Sequence, residues 1–158
     1  MAAWPGRDRM ESDAELVIAA EAAQIREASL WLARAAEQFG IPDESLNRLD
    51  LCLNEVLANT ITHGRPEAAT APIHLHLHIQ QLDDAREATV TTSDAGPAFD
   101  MTAAAASPRP RTLAEAQPGG LGLVMIRSFA DQLAYTYADG HNHLRFSVRW
   151  PAPAATVP

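Results

Sequence analysis

Ile73-His74-Leu75-His76-Leu77-His78-Ile79 alternates apolar and polar residues without a break. Side chains of a β-strand point to opposite faces in turn, so this stretch predicts a strand with one buried and one open face. Such a strand needs helices on one side only. Two helical patterns precede it. The first runs from about Ala22 to Phe39, with Ile25, Ser29, Leu32, Ala36 and Phe39 on one stripe, and Gly40 ends it. Pro42-Asp43 opens the second, from about Glu44 to Thr62, with an acidic first turn that suits the helix dipole. Leu46, Leu49, Leu53, Val56 and Leu57 form its apolar stripe, and Gly64-Arg65-Pro66 stops it.

Further out, Glu15 to Ala19 reads as a short first strand and Ala88 to Thr92 as the strand after the alternating one. Residues 101 to 118 are rich in Ala, Pro, Arg and Ser, a long loop of the kind that is functional or mobile in a compact domain. Gly119-Gly120-Leu121-Gly122 opens a third helix, about Leu123 to Ala130. Leu133 to Ala138 and His143 to Trp150 form a closing hairpin around Asp139-Gly140-His141-Asn142. The order β-α-α-β-β-loop-α-β-β, with short turns between neighbouring strands, predicts an α+β sandwich with helices on one face of a largely antiparallel sheet. Residues 1–13 read as a loose terminus, 14–150 as one domain and 151–158 as a Pro/Ala-rich tail.

The chain has 158 residues, 47% of them apolar, enough for one core. All twelve cationic residues are Arg. A chain without Lys cannot build a P-loop, the strand Lys of the usual protein kinases, or a Schiff base. A net charge of −8 argues against nucleic acid and anionic membranes as partners. The lone Cys52 forms no internal disulfide and reads as a small packed residue. No apolar run reaches membrane length and no signal-peptide pattern opens the chain, so the expected location is the cytoplasm.

Three features bear on chemistry. Glu55, Asn59 and His63 fall at i, i+4 and i+8 on the second helix, one polar line beside the apolar stripe. Glu55 can accept a proton, and Asn59 can offer a carbonyl oxygen to a hard cation such as Mg²⁺. Asp94-Ala95-Gly96-Pro97-Ala98-Phe99-Asp100 follows a strand directly. Asp94 can accept from an exocyclic amine such as that of adenine, and Gly96 permits close backbone approach. The glycine-rich helix start at 119–122 suits an anion. Taken singly, a polar helix face, an Asp-Gly turn and a ligand-free helix entry account for each.

In this order, however, the three resemble the GHKL (Bergerat, histidine kinase-like) ATPase superfamily over about residues 14 to 150. Glu55-x-x-x-Asn59-x-x-x-His63-Gly64 is similar to its N-box, Asp94-x-Gly96 to its first glycine box, and Gly119-Gly120-Leu121-Gly122-Leu123 to its second. Within the superfamily the chain most resembles the anti-sigma factor serine kinases of partner-switching systems, which also carry Phe-Asp where Phe99-Asp100 stands. The resemblance implies a two-layer α/β sandwich on a mostly antiparallel mixed sheet, with a mobile lid at about residues 101 to 118. It implies ATP and Mg²⁺, with Asn59 on the metal, Asp94 and Gly96 at the adenine, and Gly119, Gly120, Leu121 and Gly122 at the phosphates. Glu55 becomes the general base on a protein serine, and His63, Phe99 and Leu123 belong to the same boxes. Arg26 stands where the family presents an arginine to partners; a solvated helix arginine accounts for it equally well. The implied partners are a STAS-domain antagonist and a sigma factor or other regulatory target, with a homodimer through the first-helix side. A non-catalytic ATP-binding switch and a detached histidine-kinase domain are the competing readings.

The chain departs from the family pattern near the last strand. Where the family often has a Gly-Thr or Gly-Asn turn, with a Thr helping at the adenine, this segment reads Gly140-His141-Asn142-His143, and that contact is not assigned to a residue here. Arg109 and Arg111 are the only cations in the lid segment. His74, His76 and His78 share a strand face; a metal ladder is one reading, but an open sheet or interface face is favoured without an accompanying Cys or acidic cluster.

Overall fold

The alternating stretch forms a strand that extends to Gln81 in the computed structural model, which describes residues 12–63, 71–103 and 120–153. The elements are β1 (Ser12–Ile18), α1 (Gln24–Phe39), α2 (Asp43–His63), β2 (Ile73–Gln81), β3 (Ala85–Asp94), α3 (Gly120–Phe129), β4 (Gln132–Ala138) and β5 (His141–Pro151). Their order is the predicted one. Most strands run longer than the apolar pattern, because ladder hydrogen bonds involve the backbone and not the side chains. Arg86 and Glu87 thus extend β3 by pairing with Trp150 and Arg149. Pro151, expected in the tail, still pairs with Ala85 at the end of β5. The first helical turn of α3 begins at Gly120, inside the glycine run and not after it.

The five strands stand in the order β1-β2-β3-β5-β4. Each neighbouring pair is antiparallel, so the mixed sheet expected from the resemblance is not found among the described residues. The reason is topological. β3 and β4 run the same way, but β5 inserts between them and pairs with both. The β4–β5 hairpin turns through Asp139 and Gly140, whose φ values of 53° and 75° make the left-handed two-residue turn that matches strand twist. Gly140 accepts that backbone without a Cβ penalty.

Ile73, Leu75, Leu77 and Ile79 of β2 are buried, while His74 is exposed and His76 and His78 are half-buried. The helices pack on that apolar face. α2 buries Leu49, Cys52, Leu53, Val56 and Leu57. The buried stripe of α1 is rotated from the predicted one. Ala28, Trp31, Leu32, Ala35 and Ala36 are inside, and Ile25 and Phe39 are only partly covered. Trp31 carries the largest apolar surface of that helix, and its burial sets the rotation. Arg48 of α2 reaches across to α3, where Nε donates to the Phe129 carbonyl at 2.9 Å and a terminal nitrogen meets Asp131 at 3.1 Å. That bond satisfies a carbonyl at the C-terminus of α3 and holds this helix against α2. No described helix is long and apolar enough to cross a membrane.

Candidate functional site

At one end of the sheet, α2, β3 and the β4–β5 hairpin enclose a cavity of about 30 Å³. Thr60 and His63 come from α2, Thr92 and Asp94 from β3, and Tyr135 and Asn142 from the hairpin. His63 and Phe99 stack across its mouth with ring centroids 5.0 Å apart and planes 25° apart. Both are exposed on their outer side. The volume suits one or two waters.

Asp94 is held firmly. Its Oδ1 accepts the Gly96 N–H at 2.9 Å, an Asx turn that closes the loop on itself. The same oxygen accepts Asn142 Nδ2 at 3.1 Å. A Cβ on Gly96 would lie 2.8 Å from Asp94 Oδ1, so no larger residue fits without displacing the carboxylate. The sequence assigned Gly96 to close approach of a ligand ring. Its visible role is close approach to Asp94.

Asn142 is the hub of this loop. Its Nδ2 also donates to Pro97 O at 2.9 Å and lies 3.3 Å from Gly96 O. Its Oδ1 accepts the Phe99 N–H at 3.0 Å and the Tyr135 hydroxyl at 2.5 Å. Acceptors on one side and donors on the other fix the orientation of the amide. Burial pushes the Tyr135 hydroxyl above its ordinary pKa, with Asp100 and Asp94 adding to the effect, so it is a protonated donor. The pairing of Asp94 with Asn142 in the β3–β5 ladder places the amide there.

Along α2 the predicted line is present with graded burial. Glu55 is half-buried, Asn59 is buried at 9% exposure and His63 is exposed. Neither Glu55 nor Asn59 makes a side-chain hydrogen bond to any described residue, whereas neighbouring Asn54 bonds Ser29 Oγ and the Asp50 carbonyl. Leu123 is buried at the start of α3, and Gly120, Leu121 and Gly122 form its first turn. Gly119, Arg109, Arg111 and most of the predicted lid lie outside the described residues. Beside that segment, Arg127 of α3 donates to the Thr102 carbonyl at 2.7 Å. Arg26 is exposed on α1, away from the cavity.

The family described as histidine kinase-like ATPase domain matches residues 18–148. The chain belongs to it. This histidine kinase-like ATPase domain is 41% identical over 96 residues to the serine/threonine-protein kinase BtrW of Bordetella bronchiseptica. The match spans 61% of the chain and 65% of BtrW, slightly less than two thirds of that relative. The fold is also similar to part of a solved structure of the RsbU and RsbW domains of Rv1364c from Mycobacterium tuberculosis, with a TM-score of 0.63 at 15% identity, covering 93% of this chain and 35% of that one.

Two residues of the domain's site escaped the sequence reading. By sequence, Asn142 stands only in the turn segment that departs from the family pattern, and Tyr135 only in a strand. A signal for Asn142 did exist: Leu144, Phe146, Val148 and Trp150 alternate inward along β5, which puts Asn142 on the same inner face. A lone amide in that row needs partners. The histidine row faces the other way, on the open sheet surface. There Asp13 of β1 accepts from His76 Nε2 and His78 Nδ1, both at 2.9 Å. The bond from His78 leads in holding the Asp13 carboxyl below its usual pKa, against the opposing effect of burial. No metal-binding group of three His, Cys, Asp or Glu exists among the described residues.

Proposed function

We propose that this domain is an ATP- and Mg²⁺-dependent protein serine kinase acting as an anti-sigma-type switch in the cytoplasm. On this reading it binds a regulatory target and phosphorylates a serine of a STAS-domain antagonist. The observation that carries the reading is the fixed Asp94 carboxylate beside a cavity, in an ATPase family whose matched relative BtrW is a serine/threonine kinase.

The residues fit a metal-bound triphosphate. Asn59 is a buried amide with no described partner, and a hard cation prefers such an oxygen. Bound there, Mg²⁺ supplies charge neutralisation on the phosphates. Glu55 stands one helical turn earlier, about 6 Å along the axis. It is a half-buried carboxylate without an ion pair among the described residues, free to take the serine proton. The serine Oγ forms a bond to the γ-phosphorus, the bond from that phosphorus to the β–γ bridging oxygen breaks, ADP leaves, and the proton passes to Glu55. The backbone of Gly119 to Gly122 would close on the phosphates, with Arg109 or Arg111 as the only lid cations. Asp94 reads the adenine amine, and His63 and Phe99 flank the ring. Arg26, exposed on α1, contacts the partner, and a homodimer through the α1 side completes the reading. Phosphorylation adds about two negative charges to the antagonist, which weakens a packed interface.

Transfer of label from γ-³²P-ATP to a candidate STAS protein tests this. The expected product is acid-stable phosphoserine. Tight ATP binding without transfer would replace the kinase with a non-catalytic ATP-sensing switch. Acid-labile phosphate on a partner histidine would identify a detached histidine-kinase domain.

A further inference from the structure

We propose that Asn142 and Tyr135 are positioning residues that fix Asp94 as a one-oxygen acceptor, so that the cavity selects a 6-amino purine against a 6-oxo purine. The inference rests on the nucleotide reading above and names what sets its base selectivity.

The argument starts from acceptor supply. An ionised carboxylate offers about four lone-pair sites on two oxygens. Oδ1 of Asp94 is already occupied by the Gly96 N–H and the Asn142 amide. Among the described residues no donor reaches Oδ2, and Asp94 lines the cavity. One acceptor therefore remains for a base. The 6-amino purine edge presents a donor at position 6. The 6-oxo edge presents an acceptor there and moves its donor to N1. A carboxylate free to shift can follow that donor to the neighbouring ring position. A carboxylate that cannot move meets the lone pairs of the 6-oxygen instead. Rigidity of Asp94 is thus the selectivity element, because a site built to hydrogen-bond one group rejects the analogue that leaves its polar atoms unpaired.

The rigidity comes from outside the Asp94 loop. The Gly96 N–H bond is local and would move with the loop. Asn142 ties the carboxylate to Pro97 O and Phe99 N at the far side of the loop and anchors all of them to β5. Asn142 is in turn held by the Tyr135 hydroxyl from β4. With both acceptors and donors satisfied, the amide has no alternative orientation, and the carboxylate inherits that constraint. Tyr135 makes no bond to Asp94, so it acts only through Asn142.

The test is calorimetric binding of Mg·ATP and Mg·ITP to the unaltered chain, Asn142→Ala and Tyr135→Phe. The unaltered chain is expected to prefer ATP by about thirtyfold or more. Asn142→Ala should bring that ratio toward about threefold, and Tyr135→Phe, which removes one hydroxyl, should fall between. A purely structural role would weaken both nucleotides together and leave the ratio unchanged. Tyr135→Phe keeps the ring and so keeps the test valid if Asn142→Ala fails to fold, which circular dichroism would reveal. A thirtyfold preference retained by a folded variant overturns the inference and leaves the kinase reading standing. No binding of either triphosphate by the unaltered chain overturns the nucleotide reading and the inference with it.

Discussion

The two ends of the proposed nucleotide site are built differently. At the base end, the chain satisfies its own polar groups: Asp94, Gly96, Pro97, Phe99, Tyr135 and Asn142 close a hydrogen-bond network before any ligand arrives. At the phosphate end, Asn59 and Glu55 lie on one helix with no partner among the described residues. On the proposed reading, a bound cation gives the Asn59 amide oxygen the partner that no described residue supplies. On the proposed reading, preorganisation confers selectivity at the first end, and metal ligation by Asn59 confers affinity at the second.

The largest expected effect breaks the phosphate end. Glu55→Ala should lower serine phosphorylation by about a hundredfold or more and leave ATP affinity nearly unchanged. Label transfer beside calorimetry reads both; full activity would remove Glu55 as the base. Asn59→Ala should weaken Mg·ATP by about ten- to a hundredfold. With the metal chelated, the variant and the parent should bind ATP alike, and a loss that persists without metal would refute the assignment.

At the base end, Gly96→Ala sharpens the contrast. Its new methyl falls 2.8 Å from Asp94 Oδ1 and must displace the carboxylate. A loss of about tenfold in ATP affinity is expected, equal with and without Mg²⁺. A loss seen only with metal would mean that the two ends are not separate.

The smallest effect concerns stability alone. Glu87, on the open sheet face and remote from both ends, is 5% exposed and bonded by Arg149, Gln80 and Ser147. Burial by itself pushes its carboxyl up, but these partners outweigh it and hold the pKa below the ordinary value. A depressed folded-state pKa contributes stability above the unfolded value that disappears as pH falls through the folded one. Glu87→Gln should therefore lower Tm by about 3 °C at pH 7, with the gap narrowing in acid and ATP affinity untouched. A change in nucleotide affinity would show that the open face communicates with the site.

Much of the site was legible because its residues are local in sequence. Glu55, Asn59 and His63 recur at helical spacing, and Asp94-x-Gly96 is a turn written in three residues. The rotation of α1 was not legible, since Ile25 and Phe39 are as apolar as the residues that displaced them, and only the burial of Trp31 in the core chooses between the stripes. Asn142 was hidden for a related reason. Its partners lie 43 to 48 positions away at Asp94, Gly96, Pro97 and Phe99, and seven away at Tyr135. Asp13 was hidden likewise, because it meets His76 and His78 only through the pairing of β1 with β2.

The amino-acid pattern by itself determined the element order, the one-sided burial of the sheet and the residue types at each box, since periodicity and turn chemistry act over a few residues. The tertiary structure alone decided that β1 pairs with β2 and that β5 inserts between β3 and β4. It also decided that Asn142, in the segment that departs from the family pattern, is the brace of the Asp94 loop. Cross-strand register joins residues that no local rule connects.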